Sequence, residues 1–134
     1  MEPIKNGETI FKLGHKEMPS AQDFFRTTIT NIYLSADEYA VLTELEAREL
    51  EKVRYHIEHD DCVFSVDVFD GHLAGLILAE IGFETAEEIQ RSLDLPPWVI
   101  REVSDDLRFT GGALASLTAD QAAELIRKAT TPQQ

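Results

Sequence analysis

Cysteine is nearly absent from this chain: Cys62 is the single one in 134 residues. One thiol cannot form an intramolecular disulfide. The staple that holds many small secreted domains together is therefore excluded, and a reducing compartment becomes the default. No stretch approaches the roughly eighteen uninterrupted apolar residues that a membrane helix needs. The opening Met1-Glu2-Pro3-Ile4-Lys5-Asn6-Gly7 has no apolar signal core. These absences place the expected location in the cytoplasm. Positive charge is also scarce, with 12 Lys and Arg against 25 Asp and Glu and a formal net charge of −13. Such a field repels duplex nucleic acid and anionic membrane at long range. An anionic ligand must then meet a local basic site that overrides the global charge.

What remains is the composition of an ordinary globular protein, 43% hydrophobic and 28% charged, at a length that suits one domain with its own core. Short strands and short helices alternate along it, an α+β pattern built on an antiparallel sheet. Residues 9–16 predict a strand, with Phe11 and Leu13 alternating with Lys12 and Gly14. Residues 24–32, rich in Thr and aromatic side chains, predict a second, on which Arg26, Thr28 and Thr30 share a face. Ser35-Ala36-Asp37-Glu38 is a capping box, and the helix it opens is expected to reach about residue 46 or 47. Residues 50–58 and 62–69 predict two strands joined at Asp60-Asp61, and Asp70-Gly71 is a further turn signal. Residues 76–83 predict a fifth strand, nearly all apolar and so expected to be central with both faces covered. A second capping box at Thr85-Ala86-Glu87-Glu88 predicts a helix to about residue 92, which Pro96-Pro97 lies beyond. Gly111-Gly112 reads as a turn. Residues 118–128 predict a last amphipathic helix, with Ala122, Leu125 and Ile126 on its apolar side.

The strand over 50–58 carries the chemistry. Val53, Tyr55 and Ile57 share one face, and Lys52, Arg54 and His56 share the other. Lys16 and Arg26 join the cations if their strands neighbour this one. A strand face bearing cations is costly unless it meets water or an anion. Phosphate is the anion that best rewards converging Lys and Arg, through charge-assisted hydrogen bonds about twice as strong as neutral ones. A solvated face with scattered charges is the plainer reading. Asp67, between Val66 and Val68, and Glu80, within an apolar run, are the acidic counterparts. A carboxylate so placed must be paired, hydrogen-bonded or bound to a cation. Pairing with Lys52 or Arg54 is one account, and holding Mg²⁺ beside a bound phosphate is the other. The four histidines show no zinc spacing, and Cys62 reads as a core thiol. Trp98, after two prolines, reads as an anchor that packs a loop onto the sheet.

The order of segments resembles the CYTH superfamily, the triphosphate tunnel metalloenzymes. The matching pieces are Phe11-Lys12-Leu13-Gly14-His15-Lys16, Arg26-Thr27-Thr28, Lys52-Val53-Arg54-Tyr55 and Val66-Asp67-Val68-Phe69. Leu73-Ala74-Gly75-Leu76-Ile77-Leu78-Ala79-Glu80-Ile81-Gly82-Phe83 continues them, and Pro97-Trp98, Arg101-Glu102-Val103 and Arg108-Phe109 close them before Ala113-Leu114-Ala115. The resemblance implies an antiparallel sheet forming a partial tunnel or barrel with helices packed outside. It implies a triphosphate or nucleotide ligand gripped by Lys16, Arg26, Lys52 and Arg54, and Mg²⁺ or Mn²⁺ on the acidic side at Glu80 and Asp67. Members of the family hydrolyse inorganic triphosphate, thiamine triphosphate or RNA 5′-triphosphates, and some cyclise ATP. The family opens with an acidic Glu-x-Glu-x-Lys strand and an Arg-bearing strand, both expected to be missing from this chain. Its later Glu-x-Glu pair is reduced, because the second Glu falls at Gly82, and Thr28 stands where a carboxylate is usual.

The resemblance thus implies a domain over residues 9–117, preceded by a segment over 1–8 and followed by a helix and tail over 118–134. Binding of a triphosphate or polyphosphate with weak or no catalysis is the expectation, a metal-dependent triphosphatase the alternative, and a protein-interaction domain the third. Five strands are fewer than the roughly eight of a small closed barrel. An open sheet edge recruits cover, so a homodimer is also expected, with the last helix as the rival cover.

Overall fold

The computed structural model describes residues 4–5, 8–17, 28–82 and 95–131. The chain divides into two compact units, Met1–Ala47 and Arg48–Gln134. The expected helix over 85–92 and the start of the strand over 24–32, Arg26 included, lie outside the described residues.

In the first unit a short pair, β1 (Ile4–Lys5) with β2 (Glu8–Thr9), precedes a longer antiparallel ladder of β3 (Phe11–Glu17) and β4 (Thr28–Leu34). The ladder sets Leu13 opposite Ile32 and Lys16 opposite Ile29. Helix α1 (Ala36–Leu42) opens as its sequence asks: Glu38 N donates to Ser35 Oγ at 3.2 Å, and Ser35 N to Glu38 Oε1 at 2.9 Å. The rings of Phe11 and Tyr39 stack the helix on β3, centroids 4.8 Å apart. The helix stops at Leu42 rather than at 46 or 47. Thr43 Oγ1 folds back on the Ala40 carbonyl at 2.8 Å, and the Glu44 and Leu45 amides bond the carbonyls only three residues behind them. Glu44 and Glu46 would also have set negative charge at the negative end of the helix dipole.

The second unit is a three-stranded antiparallel sheet in the order β5 (Glu51–His59), β6 (Cys62–Asp70), β7 (Ile77–Ile81). Asp60 and Asp61 both take positive φ, 50° and 61°, the geometry of the two-residue hairpin turn whose twist matches its strands. Asp tolerates this left-handed region better than most non-glycine residues. Strands β3 to β7 are the five expected elements. The expectation for β7 is corrected, however: β6 is the central strand, and among the described residues β7 pairs on one side only, with Ile77 61% exposed. A short apolar run reads the same in a buried strand as in an edge strand, and only the pairing separates them.

The main core cluster lies on one face of this sheet, at one end, while Phe64 and Val66 are buried on the other face. Phe69 from β6 packs with Leu73, Leu76, Leu114 and Ala122, and Leu78, Phe109, Leu125 and Ile126 border them. Asp70 accepts from the Gly71 amide at 2.9 Å, and the chain bends into a 3₁₀ turn, Gly71–Leu73, that buries Leu73 completely. His72 Nε2 lies 3.1 Å from the carbonyl of Leu114. Gly111 and Gly112, expected as a turn, instead form the first turn of α2 (Gly111–Ala115), because Thr110 Oγ1 accepts from the Ala113 amide at 3.3 Å and caps it. Helix α3 (Ala119–Thr130) has a capping box at Thr118 and Gln121, and its Ala122, Leu125 and Ile126 meet the core as expected. Trp98 packs edge-on against Phe64 of β6 at 5.6 Å, the loop anchor its position predicts. Leu73→Ala should lower the stability of this unit by about 2–5 kcal/mol. Trp98, the chain's one tryptophan, supplies the fluorescence signal for a denaturant titration that measures it.

Candidate functional site

The two-residue turn fixes which residues face each other across the β5–β6 hairpin. Counting outward from it, His56 meets Ser65, Arg54 meets Asp67 and Lys52 meets Phe69. All six side chains belong to one face of the sheet. On the other flank of β6, Ser65 meets Glu80 and Asp67 meets Leu78, so Glu80 joins the same face.

Asp67 is 1% exposed, and it does not stand alone. Arg54 grips it with a fork, Nε to Oδ1 at 2.6 Å and Nη2 to Oδ2 at 2.9 Å, while Lys52 Nζ donates to Oδ2 at 2.9 Å. Burial alone would push the Asp67 carboxyl up. The hydrogen bonds and positive charges of Arg54 and Lys52 outweigh it and hold the carboxyl below the ordinary aspartate range. The cations are not buried with their anion: Lys52 is 36% and Arg54 40% exposed. The Lys52 ammonium also sits 5.6 Å from the centroid of the Phe69 ring, at the margin of the core. Glu80 is mostly in solvent, its Oε2 3.9 Å from Arg54 Nη2. His56 extends the cationic row and is exposed.

Four of the six residues that the sequence singles out, Lys52, Arg54, Asp67 and Glu80, therefore come together on one hairpin and its neighbour strand. Lys16 is exposed on β3 in the other unit, opposite Ile29, and Arg26 lies outside the described residues. Of the two accounts of Asp67, the structure shows the ion pair. Both its oxygens accept from cations, and Glu80 faces a guanidinium. Among the described residues no group of three or more His, Cys, Asp or Glu side chains is placed to hold a metal ion. Both Asp67 oxygens accept from Lys52 and Arg54, whereas Glu80 is exposed, with its Oε2 3.9 Å from Arg54 Nη2. Phe69 was not among the expected site residues. Its signal was present, since the count outward from Asp60-Asp61 pairs it with Lys52.

No family model matches the chain. A relative from Nitrosomonas europaea, named inorganic triphosphatase, is 34% identical over 104 residues, which cover 69% of this chain and 68% of that protein. The chain belongs to the CYTH superfamily. A crystal structure of the inorganic triphosphatase NE1496 superposes with a TM-score of 0.54 at 34% identity, over 68% of this chain and 64% of that one. A second NE1496 structure, there called a hypothetical protein, gives the same score over 67% and 62%. This chain thus spans less than two thirds of those solved chains. The fold is α+β and antiparallel, of the CYTH type, and among the described residues its strands close no barrel, in keeping with a partial tunnel.

Acid should loosen this CYTH hairpin. A carboxyl held below its unfolded value stabilises the folded state fully above about pH 4, and that contribution fades as pH falls through the lowered value. Asp67→Asn should cost about 2–3 kcal/mol at pH 7, at or below the roughly 3 kcal/mol that marks the low end for breaking a buried pair, because both cations remain partly in water. The gap between wild type and variant, followed by Trp98 fluorescence, should shrink as pH drops below about 4.

Proposed function

We propose that this CYTH chain binds inorganic triphosphate, or a related polyphosphate or nucleoside triphosphate, at Lys52 and Arg54, and hydrolyses it weakly or not at all. The observation that carries this reading is the pair of cations fixed side by side on a sheet face, each with over a third of its surface in water. A guanidinium and an ammonium so placed, with their outer surfaces in water, can donate to adjacent phosphate oxygens. The name of the Nitrosomonas relative, inorganic triphosphatase, supports the substrate class. By family position Lys16 and Arg26 are also proposed as phosphate ligands. Weak catalysis follows from the acidic side. Transfer of a phosphoryl group to water needs the developing charge neutralised and the water oriented. Asp67 has both oxygens occupied by Arg54 and Lys52, and Glu80 is a single exposed carboxylate. Calorimetric titration with tripolyphosphate and with ATP, each with and without Mg²⁺, tests the reading. Binding should persist without Mg²⁺, and the Lys52→Ala, Arg54→Ala double variant should lose about a hundredfold in affinity, roughly tenfold for each 1.4 kcal/mol of lost charge-assisted bonding. No heat in any titration would overturn the proposal.

The relative's name also favours a second reading, a triphosphatase dependent on Mg²⁺ or Mn²⁺. It needs carboxylates beyond Asp67 and Glu80, supplied by another part of the chain or by a partner subunit. Phosphate release from tripolyphosphate with either metal, abolished in Glu80→Gln, would establish it. The first reading expects release near background in both proteins.

Placement in the cytoplasm and self-association belong to the same proposal. No helix among the described residues is long and apolar enough to cross a membrane, and the net charge of −13 disfavours duplex nucleic acid. On the sheet face away from the cations, Val53, Tyr55, Ile57, Val68 and Ile77 are each at least 37% exposed, an apolar surface of the sort that associating proteins cover, whether in a homodimer or as an interaction domain. Sedimentation at micromolar concentration should show a dimer, and a strictly monomeric species would refute that part.

A further inference from the structure

We propose that Asp67 is the positioning residue of the anion site: its buried carboxylate sets the directions in which Lys52 and Arg54 present their charge to a phosphate. The inference rests on the phosphate-binding reading above and goes beyond it by giving the central carboxylate a part in affinity. Both cationic side chains are long and carry large rotamer freedom, which a ligand must otherwise remove when it binds. Here that ordering exists before any ligand arrives. Arg54 is held at two of its nitrogens by two different oxygens, which fixes the plane of the guanidinium as well as its place. Lys52 is held from one side by Oδ2 of the same carboxylate and from below by the Phe69 ring. Asp67 can serve as the common support because it sits on the central strand between β5 and β7, almost without contact with water.

Charge alone predicts the opposite role. A carboxylate beside two cations subtracts from the field that an incoming phosphate feels, so its removal should tighten binding. Positioning predicts that removal weakens binding, because two ordered donors become two mobile ones. The outer faces of Lys52 and Arg54 are solvent-exposed, where Coulomb terms are damped, so the ordering effect should dominate. The sign of one substitution therefore separates the two.

Tripolyphosphate is titrated in EDTA into wild type, Asp67→Asn and Arg54→Lys, with Trp98 fluorescence confirming that each is folded. Asp67→Asn should bind about tenfold more weakly, the equivalent of ordering one long side chain, even though it removes a negative charge. Arg54→Lys keeps the charge and loses the fork, so it should weaken binding by a similar factor, and it reports even if the Asn variant does not fold. In the ligand-free protein the Arg54 Nε–H should give a distinct NMR signal with slowed solvent exchange, lost in Asp67→Asn. Wild-type binding combined with equal or tighter binding by Asp67→Asn overturns this inference alone, as does an Arg54→Lys variant that binds like wild type. Absence of binding by wild type overturns the phosphate reading and this inference with it.

Discussion

A single buried carboxylate organises the second unit. Asp67 lies on the central strand at 1% exposure, and isolated burial of that charge would be prohibitive. Arg54 and Lys52 make it tolerable by reaching across from β5 with three hydrogen bonds of 2.6 to 2.9 Å. The rest of the sheet face lies to either side of that pairing. Toward one end, Phe69 and Leu78 turn inward to meet Leu73, Leu114 and Ala122. Toward the other, Ser65, His56 and Glu80 face outward. Asp67 marks the boundary between the apolar core and the polar face, and the Lys52 ammonium over the Phe69 ring straddles it.

Much of this was legible in the residues. The capping boxes at Ser35 and Thr118, the turn at Asp60-Asp61, and the split of β5 into an apolar and a cationic face depend on neighbours a few positions away, and sequence carries such neighbours directly. The pairing of Arg54 with Asp67 was legible once the turn was known. Other features depend on what lies across space. The stop of α1 at Leu42 comes from Thr43 bonding back to Ala40, a choice that competes closely with another helical turn. The helical start at Gly111-Gly112 depends on Thr110 acting as a cap, against the intrinsic preference of glycine. The one-sided pairing of β7 among the described residues is a property of the sheet, and its own apolar run is silent about which strands lie beside it.

The family relationship and the charge arrangement bear on each other. The chain is 34% identical over 104 residues to an inorganic triphosphatase, and its β5 carries Lys52 and Arg54. The carboxylates nearest to them face inward onto those same cations, or stand singly in solvent at Glu80. In the four-residue group of Lys52, Arg54, Asp67 and Glu80 the formal charges cancel. An anion that docks here thus meets directed hydrogen-bond donors more than a bare positive field. That distinction bears on the proposed phosphate site of a chain whose net charge is −13.

The turn at Asp60-Asp61 has a kinetic consequence. Because it closes with two residues, Lys52 and Arg54 lie only 15 and 13 positions from Asp67 along the chain. Contacts so local form early, and a hairpin zips on a timescale of about 1–10 μs. Leu114 and Ala122, by contrast, must return from far along the chain to complete the core. The charged cluster therefore belongs to a local hairpin, whereas the core needs partners from far along the chain. An isolated hairpin is only marginally stable in water, so the early cluster opens and re-forms until α2 and α3 dock on Phe69 and Leu73.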